Sequence, residues 1–145
     1  MDKRRRKKVS KFLSYVLRHH PESIGVKLDS SGWADISELL AKAEKSGFRI
    51  TRGELDKVVE ENDKQRYSLS EDGLAIRANY GHSIDVDLGY TPKIPPGLLY
   101  HGTAVENLKS IRVNGLAKGG RQYVHLSPDS QMAVSVGSRH GKPIV

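Results

Sequence analysis

Arg66-Tyr67-Ser68-Leu69-Ser70-Glu71-Asp72-Gly73-Leu74-Ala75-Ile76-Arg77-Ala78 decides how the first part of the chain folds. Two short runs, Arg66–Ser70 and Leu74–Ala78, flank Glu71-Asp72-Gly73, whose residue types favour a tight turn; the pattern predicts a β-hairpin. Upstream, the apolar spacing is helical. Val9, Phe12, Leu13, Val16 and Leu17 share one face of a helix expected over Ser10–His19, stopped by Pro21. Val26 and Leu28 alternate as a short strand before the turn Ser30-Ser31-Gly32. Asp35 is placed to cap a second helix through Ile36, Leu39, Leu40 and Ala43, closed by Gly47. Thr51 and Glu54 make a capping-box pattern for a third, whose stripe is Leu55, Val58 and Val59. Helices followed by a hairpin predict a winged-helix-like lobe over residues 1–90, with a basic arm at its start.

Downstream, Thr91-Pro92-Lys93-Ile94-Pro95-Pro96-Gly97 reads as a stiff connector, because three prolines in seven residues cannot continue a helix or a central strand. Residues 98–145 form the second expected lobe. Its elements are a strand at Leu98–His101, a helix through Val105, Leu108 and Ile111 ending near Gly115, and a strand at Gln122–Leu126. Ser127 and Pro128, as N-cap and first helical residue, open a helix to about Ser138. Pro143-Ile144-Val145 reads as the entry to another strand, and an edge left unpaired there implies a lobe incomplete at its C-terminal end. The whole is expected to be α+β.

The 145 residues carry a net charge of +7, unevenly spread: +6 over residues 1–11, −4 over 12–90 and +5 over 91–145. That distribution points to an anionic partner, of which nucleic acid is the commonest, with a solubilising tail as the alternative for the arm alone. The absence of cysteine excludes disulfides, thiolate metal sites and a Cys nucleophile. The six histidines are scattered and form no helical metal pair, so no metal is expected. No apolar run reaches the ~18 residues of a membrane span, and no apolar segment follows the basic start. A cytoplasmic monomer is the simple expectation.

Five places can carry chemistry. Arg18-His19-His20 ends the first helix, where guanidinium and imidazole suit phosphate oxygens; spacing alone favours a role in offsetting the helix dipole. Arg66 at a strand start reads, taken alone, as a solvated strand residue more readily than as a ligand, whereas Arg77–Ser83 around Gly81 is compatible with phosphate binding or with closing the hairpin. His101-Gly102-Thr103 lies at a strand end. Arg121 and His125, four apart on an expected strand, point to one face; a buried, hydrogen-bonded His125 explains the pattern equally well. Neither a dinucleotide-binding G-x-G-x-x-G nor a P-loop is present.

In order along the chain, Arg18-His19-His20-Pro21, Gly32-Trp33, Arg66-Tyr67, Ile76–Ser83, Leu99–Thr103, Arg121–Ser127 and Gly137-Ser138-Arg139-His140-Gly141 resemble the motifs of the NAD-dependent RNA 2′-phosphotransferase family, whose best-known members act in tRNA splicing. Tyr80 stands where many bacterial and eukaryotic members have Gln, which resembles archaeal ones. The resemblance implies an RNA-facing winged-helix lobe and an ADP-ribosyltransferase-like lobe that binds NAD. It maps the family's essential Arg-His-Arg-Arg set onto Arg18, His19, Arg66 and Arg121. Its two signature histidines map onto His101 and His125, and the third, hydrophobic member onto a strand beyond Val145. Gly102, Thr103, Ser127 and Arg139 join them as NAD-facing residues. The implied reaction moves an internal 2′-phosphate of RNA onto NAD-derived ADP-ribose, through an ADP-ribosylated 2′-phosphate. Its products are 2′-OH RNA, ADP-ribose 1″,2″-cyclic phosphate and nicotinamide. Two other functions fit parts of the pattern: an ADP-ribosyltransferase that stops at the modified nucleic-acid phosphate, and a winged-helix nucleic-acid binder without catalysis.

Overall fold

A computed structural model describes residues 1–145 and divides them into two compact units, Met1–Gly89 and Tyr90–Val145. The class is α+β, with a three-stranded and a two-stranded antiparallel sheet.

The first unit opens with α1 (Lys3–Ser14), which runs into a five-residue π-helical turn, Tyr15–His19. α1 starts seven residues before the expected Ser10, so most of the basic arm is helix. Asp2 caps it by accepting from the Arg5 amide at 2.8 Å, and the buried Val9 ties its middle to the core. Two of the arm's cations are matched by carboxylates. Arg5 makes a two-pronged contact with Glu54 at 2.9 and 3.0 Å, and Arg6 lies 2.5 Å from Glu61. An arm whose guanidinium groups meet partners in its own unit folds back as structure.

β1 (Ala34–Asp35), α2 (Ile36–Lys45) and α3 (Arg52–Glu60) follow. Asp35 caps α2 through the Glu38 amide, and Thr51 with Glu54 forms the full capping box of α3. β2 (Tyr67–Leu69) and β3 (Ala75–Ala78) make the hairpin, with β3 central in the order β1-β3-β2. The turn is held by Asp72, which accepts from the Leu74 amide and the Ser70 hydroxyl, while Gly73 takes φ +72°. The expected strand at Val26–Leu28 reduces to one bridge, Leu28 to Ala34. Fifteen buried apolar side chains from all three helices, β1, the hairpin and the intervening loops form one core; Leu13, Leu17, Leu39, Leu55 and Ile76 have no exposed surface.

In the second unit, residues 91–97 have no regular structure. β4 (Thr103–Ala104) pairs antiparallel with β5 (Pro143–Ile144), and between them come α4 (Leu108–Asn114) and α5 (Ser130–Ser138). α4 ends where expected, at Gly115 with φ +76°. The expected strands Leu98–His101 and Gln122–Leu126 are not formed. What remains is a bridge between Tyr100 and Ser127, the latter just beyond the second segment, which exchange amide-to-carbonyl bonds of 2.7 and 2.8 Å. One bridge cannot order a four- or five-residue strand. Ser127 lies three residues before α5 and its hydroxyl accepts from the Asp129 amide, so it does not cap the helix. Asp129 does, accepting from the Gln131 amide at 2.9 Å, and Pro128 stays outside the helix.

Candidate active site

In the first unit the π-helical turn sets the geometry. The His20 amide donates to the Tyr15 carbonyl five residues back, at 2.8 Å. Such single wide turns recur at functional sites because they break the regular helical spacing of the side chains they carry. Arg18 is buried, with 7% of its surface exposed, and its guanidinium lies 5.1 Å from the centre of the Tyr80 ring. A stacked guanidinium is held flat, in an orientation that suits the planar or tetrahedral oxygens of an anion. His19 is half-buried, and its Nδ1 lies 2.8 Å from Ser83 Oγ. His20 turns to a different partner: its Nδ1 is 2.9 Å from Glu22, whose carboxyl that contact holds below its ordinary pKa, and its ring packs on Tyr15.

Arg66 sits immediately before β2. Its carbonyl accepts from the Asn79 amide at 2.8 Å, and its amide donates to the Asn62 side chain at 3.4 Å. The residue before it, Gln65, has φ +45°, a left-handed conformation held in part by a bond from Asn79 Nδ2 to its carbonyl. One segment therefore reaches all three expected catalytic residues of this unit. Asn79 bonds the Arg66 backbone, Tyr80 stacks on Arg18, and Ser83 contacts His19 while its amide donates to the Arg18 carbonyl at 3.0 Å.

His82, inside that segment, is 1% exposed, and neither ring nitrogen has a hydrogen-bond partner. Burial, followed by the positive charges of Arg18, His19 and Arg77, pushes its pKa down to about 4, so it is neutral at physiological pH. Sequence reasoning quoted this motif without giving roles to Tyr80, His82 or Ser83. The usable signal was Gly81, which turns the chain at φ +87° and lets two polar residues face back toward the helix end.

In the second unit the two expected histidines meet. His101 Nδ1 lies 2.9 Å from the carbonyl of His125, and because a carbonyl only accepts, Nδ1 carries the proton. Arg121 Nη1 is 3.5 Å from His125 Nδ1. That contact comes from a bent segment instead of the same-face alternation of a strand. The Thr103 hydroxyl accepts from Asn107, the Ser127 hydroxyl accepts from the Asp129 amide, and Arg139 is exposed at the C-terminus of α5. Gly102 has a packing reason to be glycine: a Cβ there would fall 1.6 Å from the Ala133 carbonyl oxygen of α5.

Similarity to known proteins defines first a class. Proteins of Pectobacterium carotovorum subsp. carotovorum (57% identical, covering 94% of this chain and 74% of theirs), Agrobacterium fabrum (59%, 94% and 73%) and Pseudomonas aeruginosa (52%, 100% and 80%) are each named probable RNA 2′-phosphotransferase. They are transferases, and the chain spans about three quarters of their lengths. The family model described as RNA 2′-phosphotransferase, Tpt1 / KptA family, matches residues 4–145, and the chain belongs to that family.

Proposed function

We propose that this chain removes an internal 2′-phosphate from RNA with NAD as co-substrate, releasing 2′-OH RNA, nicotinamide and ADP-ribose 1″,2″-cyclic phosphate. The observation that carries this reading is the family match over residues 4–145. NAD supplies an activated ribose carbon with nicotinamide as leaving group and a neighbouring hydroxyl that can take the phosphorus; all other work falls to the chain's own residues.

A phosphate monoester beside a phosphodiester is densely anionic, and the phosphorus gathers more charge on its equatorial oxygens as it changes hands. Arg18 and Arg66 of the first unit, and Arg121 of the second, are the proposed cations that offset that charge. Fixed donors of this kind are each worth about 10²–10³ in rate, most where the surroundings are partly dry, as they are around the buried Arg18. His19 is the proposed acid that gives a proton to the departing RNA oxygen from Nε2, its Nδ1 being engaged by Ser83.

The second unit's donor set fits a dinucleotide in kind. His101 commits Nδ1 to a carbonyl and keeps Nε2 for a ribose hydroxyl, while the exposed guanidinium groups of Arg121 and Arg139 suit pyrophosphate oxygens. Gly102, Thr103, His125 and Ser127 complete the proposed NAD-facing set. On the same reading the first unit is the winged-helix, RNA-facing lobe and the second the ADP-ribosyltransferase-like lobe.

The test is incubation of a 2′-phosphorylated RNA oligonucleotide with the chain, with and without NAD, and separation of the products. NAD-dependent appearance of the 2′-OH oligonucleotide together with the cyclic phosphate is the expected result. A stable ADP-ribosylated RNA, or binding with no consumption of NAD, would overturn it.

A further inference from the structure

We infer that Ser83 is a positioning residue of the phosphotransfer, one that commits Nδ1 of His19 and so leaves Nε2 as the only nitrogen able to pass a proton to RNA. The inference rests on the function proposed above and adds a residue to it.

The geometry is local and specific. Ser83 grips the end of the first helix twice, through its amide on the Arg18 carbonyl at 3.0 Å and its hydroxyl on His19 Nδ1 at 2.8 Å. Its position is set from behind. Gly81 turns the chain, and His82 is buried against the Gly32–Val86 neighbourhood, where a Cβ at Gly32 would meet His82 Nε2 at 3.6 Å. A charged imidazole has two N–H donors. When Nδ1–H donates to Ser83 Oγ, Nε2–H is the proton that leaves for the RNA 2′-oxygen as its bond to phosphorus breaks. The imidazole is then neutral, with the Nδ1–H bond to serine intact. The serine gives up no proton and takes none, so atoms and charge balance without it.

Such a residue does not touch the reacting atoms, so its removal costs less than removal of the acid itself, for which a factor of about 10²–10⁴ is usual. The test uses the full chain as wild type, Ser83→Ala and Ser83→Thr. Ser83→Ala is expected to slow release of 2′-OH RNA roughly tenfold, to leave nicotinamide release within twofold, and to let ADP-ribosylated RNA accumulate. Ser83→Thr, which keeps the hydroxyl, restores the second step. Independently of turnover, ¹⁵N spectra of protonated His19 are expected to show its Nδ1 signal displaced by Ser83→Ala and its Nε2 signal unmoved. An Nδ1 signal unchanged by the substitution overturns the inference, as does equal loss of both steps without rescue by Thr. Failure of the wild type to consume 2′-phosphorylated RNA and NAD counts against the proposed function instead, and the spectra still decide the role of Ser83.

Discussion

The two units are held together by different means. Met1–Gly89 has a core of fifteen buried apolar side chains, whereas in Tyr90–Val145 the only buried apolar residues are Ala104 and Ala133. Large apolar side chains of the second unit stand in the open, among them Ile94 at 97%, Val113 at 75% and Tyr123 at 73% exposed. What packs there is backbone. α5 lies on β4 through Gly102 and Gly137, where an added Cβ would come within 1.6 Å of the Ala133 carbonyl and 2.7 Å of the Thr103 carbonyl. One unit is specified by the volume of its side chains, the other by their absence at two positions. Mutations should therefore have opposite profiles in the two.

The largest expected effect is in the first unit. Leu17 has no exposed surface and lies in the π-helical turn that carries Arg18 and His19. Leu17→Ala removes a buried side chain and leaves a cavity, and is expected to destabilise by about 2–5 kcal/mol. Val113→Ala, the matching truncation at an exposed site of the second unit, is expected to change stability by less than about 0.5 kcal/mol. Urea unfolding of both variants measures the contrast. Comparable losses would show that the second unit also depends on large side chains.

The next effect runs the other way. Gly102→Ala adds one methyl group, yet it demands that α5 retreat from β4, since the obstacle is a backbone carbonyl and not a flexible tip. Overpacking of this kind costs about 1–3 kcal/mol and sometimes more. Gly25→Ala, in the first unit, has open space around its Cβ position and meets only the strain of φ +74°. Amide hydrogen exchange is expected to show protection lost across β4 and α5 for Gly102→Ala, with the first unit unchanged. Full protection in β4 and α5 would remove close backbone approach as the organising feature.

The same difference explains what could be read from the sequence. Ile36, Leu39, Leu40 and Ala43 recur with helical spacing in α2, as do Leu55, Val58 and Val59 in α3, and Asp35, Thr51 and Glu54 occupy the cap positions, so both helices were legible to within a residue or so. The hairpin was too, because Asp72 and Gly73 carry the turn chemistry in their own side chains or lack of one. Gln122–Leu126 read as a strand, but the one bridge nearby is made by Ser127, just beyond it, and pairing is not written in the segment that needs it. The early start of α1 was hidden because Arg5 and Arg6 look like a free basic tail until Glu54 and Glu61 are found opposite them. In the site, Arg18, His19, His101 and His125 stood out by motif. Ser83 lay in a motif but had no role there, because its importance is a distance to His19 across sixty-four positions of sequence.

The smallest effect at neutral pH concerns His82, and it separates the units by acid sensitivity. Its folded pKa of about 4 lies below the ordinary 6.5, first because it is buried and then because Arg18, His19 and Arg77 repel a further charge. The unfolded chain therefore binds a proton at this residue over a pH range where the folded unit does not. Stability from keeping His82 neutral is complete above about pH 6.5, declines as the pH falls, and levels off below about pH 4. Glu54 adds a second decline at lower pH. Its carboxyl is held below the ordinary carboxylate value by the Arg5 hydrogen bond, so its contribution is present above about 4.5 and lost as the pH falls through its folded value. The urea midpoint of the first unit is expected to fall between pH 6.5 and 4, and His82→Gln is expected to flatten that interval while leaving the lower one. If the midpoint of the wild type does not move between pH 6.5 and 4, the folded imidazole takes up a proton as readily as the unfolded one. The cationic surroundings that Arg18 provides for phosphate would then be arranged differently from what its contacts with Tyr80 and Ser83 indicate.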